Sequence, residues 1–375
     1  MQVPRGLEGV IVASTELTKI DGQAGRLVYR GYDVTELAGV VPYEAVAHLL
    51  WFGQLPTKEQ LAKLESKLAS SRWLPPVVTE FLEQAARVAE PLSLLQTSIS
   101  ILGGLEATKT ASITDASLAL TARMPTILAT GYRLRHNQAT LEPRSELGHV
   151  ANYLYMLTGS VPKQEHVRAL DAYFTLLADH GLGASTFVAR IAASTLTDVY
   201  SAVVAAISAL KGPLHGGAPI FVWEMLQAIG KPENARDWLT DHLAKGDRIM
   251  GFGHRIYRTE DPRSRVLKRL AKEIVEPRLF ELASTVEAEA RELLRKEHPE
   301  RAIDTNVEFY SSLVLHAVGI PPELFTCTFA SARSVGWTAH IIEQRADNRL
   351  FRPEAEYKGK LDLKVQESPV KTVAR

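Results

Sequence analysis

Three short segments, far apart in the chain, each carry one side chain able to move or hold a proton. They are Lys211-Gly-Pro-Leu-His215-Gly-Gly-Ala-Pro219, the run from Gly251 to Arg263 that contains His254, and Asn306-Val-Glu308-Phe-Tyr-Ser311. Two imidazoles and a carboxylate, each beside glycine or proline or at the start of an apolar run, form a kit for taking a proton from carbon and holding the enolate that results. His215 sits in a turn leading into a helix at Pro219-Ile-Phe-Val-Trp-Glu-Met-Leu. The positive end of a helix dipole disfavours imidazolium, so a neutral His215 could donate to a developing oxyanion. His254 follows Gly251-Phe-Gly253, where glycine permits close backbone approach to a ligand. Arg263, after Asp261-Pro262, offers a fork that matches a carboxylate bidentately. Glu308 lies in the largely apolar run Val307 to Leu315, where burial would raise its pKa and strengthen it as a base. Singly, each residue also fits an ordinary role: a turn histidine, a solvated charged loop, an ion-paired glutamate.

Other chemistries find less support. No pair of histidines has metal-ligand spacing and Cys327 is the only cysteine, so no metal is expected. Gly-x-Ser-x-Gly does not occur, which argues against a serine hydrolase. The two glycines before His254 lack the third glycine and the preceding strand of a dinucleotide fingerprint.

The elements that must position these groups read mostly as helix. Thr57-Lys-Glu-Gln60 has the form of a capping box, and Leu61, Leu64 and Leu68 follow at helical spacing. Leu279, Leu282, Val286, Ala290 and Leu293 repeat that spacing, and Pro75-Pro76, Pro277, Pro299 and Pro321-Pro322 mark breaks. Near the start, Val10-Ile-Val-Ala13 and Arg26-Leu-Val-Tyr29 are β-prone runs separated by the turn-rich Ile20–Gly25, which predicts a small N-terminal ribbon. Hinges at Gly212-Pro213 and Gly319–Pro322 would set off 214–319 as a small domain from a large one made of 1–213 and 320–375. The tail after Lys358 has little helical period and is expected to cross the surface or reach a neighbour.

With 375 residues the chain can bury a large core. Forty-three basic residues balance 43 acidic ones, so no global field favours nucleic acid or an anionic membrane, and an anionic substrate would need local arginines. A single cysteine fits a reducing compartment. No secretory signal is read at the N-terminus, and the longest apolar stretch, near Ala202–Leu210, is far short of the ~20 residues of a membrane span. A cytoplasmic protein is expected.

Together these segments resemble the citrate synthase family over nearly the whole chain. The resemblance also rests on Gly6–Gly9, Ile20–Gly31, Ala151–Gly159, Asp179-His180, Ala184–Phe187, Phe329–Trp337 and Asn348–Pro353, in that order. It implies a mainly α, two-domain fold and a homodimer whose small domain closes over the site. The implied reaction condenses acetyl-CoA with oxaloacetate and hydrolyses the citryl thioester; the acyl-CoA is a substrate, and no cofactor is implied. By position, Glu308 matches the base that deprotonates the acetyl methyl group. His215 matches the residue that holds the enol oxygen, and His254 the one that polarises the oxaloacetate carbonyl. His180, His215, His254, Arg263 and Arg333 match oxaloacetate ligands, with Arg352 supplied by the other subunit. Ile249, Gly251, Gly253, Arg258 and Asn306 fall where the family holds coenzyme A. The chain departs from the family pattern at Glu308, where aspartate is usual, and at Gly183, where asparagine is common. Glu308 is read as the mark of a bacterial subgroup. The short N-terminus suggests a dimer without the extra domain of NADH-regulated relatives. A 2-methylcitrate synthase using propionyl-CoA, and a weakened paralogue that only binds these ligands, are the alternatives.

Overall fold

The computed structural model describes residues 4–108, 112–216, 218–301 and 303–363. Among these residues, sixteen α-helices surround one small antiparallel sheet. The helices begin where the sequence satisfies their exposed N–H groups. Thr57 and Gln60 form a reciprocal capping box at the start of Lys58–Ser70. Pro76, Pro91, Pro262 and Pro277 occupy first positions, where no N–H is required.

The sheet corrects one expectation. Its strands are β1 (Thr18–Asp21), β2 (Arg26–Tyr29) and β3 (Tyr32–Asp33), with Thr18 opposite Tyr29 and Asp21 opposite Arg26. Val10–Ala13 is not a strand, and Ile11 is 93% exposed. The Asp21 carboxylate accepts from the N–H groups of Gln23 and Ala24 at 3.1 and 2.9 Å, closing a tight turn immediately after β1. That turn pairs 18–21 with β2 and leaves Val10–Ala13 outside the sheet.

At the centre of the core runs the helix Phe325–Ala346, in contact with Tyr43–Phe52, Ile113–Arg135, Gln164–Leu177 and Ala184–Ser194. It is buried nearly all round, as a central helix must be when neighbours cover every face. Ala330, Ser331, Ala332, Ser334 and Gly336 keep it slim. A Cβ on Gly336 would lie 2.2 Å from the carbonyl oxygen of Ala178, so only glycine allows this approach.

Between 214 and 319, the helices Ala218–Ile229 and Pro262–Ile274 each pack on Val307–Ala317, and Ala235–Ala244 packs on Pro277–Glu297. Gln164–Leu177 contacts this group through Pro262–Ile274 and Val307–Ala317. After Ala346 the described chain has no regular structure. It is anchored where Phe351 meets Phe187 edge-on (5.8 Å between rings) and donates its N–H to the Ser194 hydroxyl. Of the tail after Lys358, residues 364–375 lie outside the described residues.

Candidate active site

Two loops are laced together beneath the site. Asn306 caps the helix Val307–Ala317: its side-chain oxygen accepts from the N–H of Glu308 at 3.1 Å. Its amide nitrogen donates to the carbonyl of Gly253 at 3.0 Å, and its backbone N–H donates to Gly251 at 2.9 Å. Phe252 bridges Thr305 and the Gly253 N–H reaches Asp304, so the loop before His254 is zipped onto the segment before Glu308. Gly251 and Gly253 have φ of 87° and 78°, and a Cβ on Gly251 would run into Phe309 at 2.8 Å. Glycine here serves conformation and close packing at once.

Local hydrogen bonds select the tautomer of each imidazole. Nδ1 of His254 accepts from the N–H groups of Ile256 and Tyr257, at 3.0 and 3.1 Å. The proton of the neutral ring therefore sits on Nε2. Burial, then the nearby Arg263 guanidinium, push this imidazole down to about 4. Nε2 of His215 accepts from the Ser185 N–H at 3.3 Å and lies 2.9 Å from the Ser185 hydroxyl. The indole N–H of Trp337 donates to that same hydroxyl oxygen at 3.1 Å, which turns the hydroxyl proton toward His215. His215 thus carries its own proton on Nδ1, and burial followed by Arg333 holds it below the usual imidazole range. Both rings are neutral N–H donors at neutral pH, the state suited to an oxyanion.

His180 joins them. Its ring stands edge-on to His254 with centroids 5.4 Å apart, and its Nε2 lies 3.1 Å from the Tyr257 hydroxyl. Burial, then Arg263 and Arg333, lower its pKa well below the ordinary value. Arg263 and Arg333 are both buried. Arg263 already presents its fork to Asp261, at 3.0 and 2.7 Å, while Arg333 donates Nε to the Leu177 carbonyl and lies over the Phe329 ring. Each guanidinium keeps further N–H groups beyond these bonds. Glu308 is partly buried; desolvation raises its pKa against the pull of Arg263. Arg263 and Arg333 thus link the groups: both act on Glu308 and His180, Arg263 acts on His254, and Arg333 acts on His215.

The other sequence candidates fall outside this cluster or serve it indirectly. Arg352 is exposed and donates to the carbonyl of its neighbour Pro353 at 2.7 Å. Arg258 is exposed, with its backbone N–H bound to Gly22 at 2.8 Å, and Ile249 is buried. Asn306 spends its side chain on the lacing. Ser185, Trp337 and Tyr257 are partners that chemical reasoning from sequence passed over, although all three lie inside the motif segments. Among the described residues no group of His, Cys, Asp or Glu is arranged to hold a metal ion, and no helix is long and apolar enough to cross a membrane.

The mainly helical frame thus gathers a carboxylate of raised pKa, neutral imidazole donors and two buried guanidinium groups, the equipment of a transferase that acts on acidic substrates. The family model for the citrate synthase C-terminal domain matches residues 6–354. The citrate synthase of Haloferax volcanii is 40% identical, covering 96% of this chain and 97% of that protein. The 2-methylcitrate synthase of Shewanella oneidensis is 38% identical, covering 96% of each. Among solved structures, citrate synthase from Thermoplasma acidophilum, in ternary complex with carboxymethyl coenzyme A and oxaloacetate, superposes with a TM-score of 0.90. It is 30% identical, covering 97% of this chain and 98% of that one. The chain belongs to the citrate synthase family.

Proposed function

We propose that the chain condenses acetyl-CoA with oxaloacetate and hydrolyses the product thioester to citrate and coenzyme A. The observation that carries this reading is the pair of tautomer-fixed imidazoles that share arginines with Glu308: Arg263 acts on His254 and Glu308, and Arg333 on His215 and Glu308. Glu308 removes a proton from the acetyl methyl group; the Nδ1–H of His215 holds the thioester oxygen as the enol forms. The Nε2–H of His254 polarises the ketone of oxaloacetate, making its carbon the better electrophile. The enol carbon attacks that carbon, the ketone oxygen becomes the hydroxyl, and water then cleaves the thioester. His180, Arg263 and Arg333 hold the dicarboxylate. Ile249, Gly251, Gly253, Arg258 and Asn306 form the coenzyme A side, with Gly251, Gly253 and Asn306 also shaping the loop.

The segment 214–319 acts as the small domain, closing on 1–213 and 320–375 and excluding water from the enol. The protein works as a homodimer in the cytoplasm, with Arg352 completing the partner's oxaloacetate pocket; its exposure, with a side-chain bond to the carbonyl of the adjacent Pro353, supports this. Glu308 defines a subgroup in which the base is one methylene longer, with the capping bond from Asn306 fixing its backbone. Because misplacing a base by about 1 Å can cost on the order of a hundredfold in rate, that anchor matters.

The similarity to a 2-methylcitrate synthase favours propionyl-CoA as a second acyl donor. One methylene in a pocket is worth only ~1–3 kcal/mol of discrimination. Release of coenzyme A thiol from acetyl-CoA and propionyl-CoA, each with and without oxaloacetate, tests both readings. Oxaloacetate-dependent release favouring acetyl-CoA supports the first, and a preference for propionyl-CoA supports the second. No release from either, with both ligands bound, leaves only a binding role.

A further inference from the structure

His340 is a fully buried imidazole with no part in the chemistry above. Arg190 Nη1 approaches its Nδ1 at 3.2 Å, and its Nε2 lies 3.3 Å from Oδ2 of Asp179. A guanidinium only donates, so Nδ1 accepts and Nε2 carries the proton toward Asp179. Arg190 is itself held, by Glu343 at 2.6 Å and Gln344 at 3.1 Å. The same Asp179 oxygen accepts from the N–H of Gly181 at 3.0 Å. The Asp179 backbone is clamped from the other side: the Tyr29 hydroxyl donates to its carbonyl at 2.6 Å and accepts from its N–H at 3.1 Å. Gly181 takes a φ of 58°, a turn that its bond to Asp179 stabilises.

Both neighbours of His180 are thus fixed, and one of the fixing groups hangs from His340. We propose that His340 is a positioning residue for His180: through Asp179 it sets the 179–181 turn and with it the aim of His180 into the oxaloacetate pocket. Arg190 and Glu343 hold His340 in the required tautomer, in the way that outer partners orient a functional group from behind. This rests on the functional reading above.

The test pairs two replacements. His340→Asn keeps a polar amide in the core but is too short to span from Arg190 to Asp179, whereas His340→Gln can reach the carboxylate with its amide N–H. His340→Asn is expected to raise KM for oxaloacetate about tenfold or more, with KM for acetyl-CoA unchanged and kcat within about threefold. His340→Gln is expected to recover most of the loss, and calorimetric oxaloacetate binding should follow the same order. Equal effects of the two replacements, no change in oxaloacetate KM, or parallel losses for both substrates would overturn the proposal. If His340→Asn does not fold, His340→Leu, which fills the space without either hydrogen bond, takes its place beside His340→Gln: an oxaloacetate KM about tenfold or more above that of His340→Gln supports the proposal, and a smaller difference overturns it. Wild-type protein that neither releases thiol nor binds oxaloacetate would sink the functional reading itself, and is seen before any variant is made.

Discussion

The side chain of Asn306 donates to the carbonyl of Gly253 across 3.0 Å, one residue before His254, while its oxygen caps the helix that begins beside Glu308. One amide thereby ties the loop before His254 to the helix that carries Glu308. Replacing it by alanine removes both bonds. Asn306→Ala is expected to cost about 1 kcal/mol of stability as a lost cap. Its effect on kcat should be larger, about tenfold to a hundredfold, because the two loops lose their register. Urea unfolding and steady-state kinetics on the same sample separate the two effects.

Ser185 relays the Trp337 indole to His215. In Ser185→Ala, Nε2 of His215 retains only a 3.3 Å bond from a backbone N–H, so the tautomer with its proton on Nδ1 is less favoured. The expected result is a fall in kcat of about tenfold, short of the ~100–1,000-fold known for outright loss of an oxyanion donor. KM for oxaloacetate should change little. A variant with unaltered kcat would show that His215 needs no such relay.

Acid should loosen the fold through its buried imidazoles. His254 is pushed down to about 4 and His149 to about 3, while ordinary histidine in an unfolded chain titrates near ~6.5. Between those values the unfolded state binds protons that the native state refuses. Their contribution is complete above about pH 6.5 and is lost as pH falls toward 4. Melting temperature should therefore drop steadily from pH 7 to 4.5, and His149→Gln should flatten that slope. An unchanged slope would mean that other groups govern the acid response.

The N-terminal hairpin bears on the site through Gly22, whose carbonyl accepts from the N–H of Arg258 at 2.8 Å. A Cβ on Gly22 would lie 2.3 Å from the carbonyl oxygen of Ile256, beside the Tyr257 that meets His180. Gly22→Ala is expected to destabilise by about 1–3 kcal/mol, as overpacking does, and to raise KM for oxaloacetate. Thermal melts with and without oxaloacetate would show both effects.

Much of the frame was legible in the sequence because the candidate groups sit on short, glycine-marked segments. His215, His254 and Glu308 were singled out by type and by the segments around them, and helix starts stand at Thr57, Pro76 and Pro277. The mainly helical citrate-synthase fold that the resemblance implied is the one observed. Val10–Ala13 misled because β-propensity says nothing of whether a partner strand exists; the Asp21 turn decides that, and it pairs the next segment instead. Ser185, Trp337 and Tyr257 escaped chemical reading because a hydroxyl or indole acquires its role only when folding places it against an imidazole. Nor did the charged run around it reveal how far Arg263 is already committed to Asp261, a contact between residues two apart at a helix start.

The central claim is that Glu308 takes the proton from the acyl methyl group. The most direct measurement is the oxaloacetate-dependent release of coenzyme A thiol from acetyl-CoA by Glu308→Gln beside wild type, with folding checked by circular dichroism. The account predicts active wild-type protein and a fall in kcat of about a hundredfold to ten-thousandfold in the variant, with oxaloacetate still bound. Turnover by Glu308→Gln equal to that of wild type would contradict it.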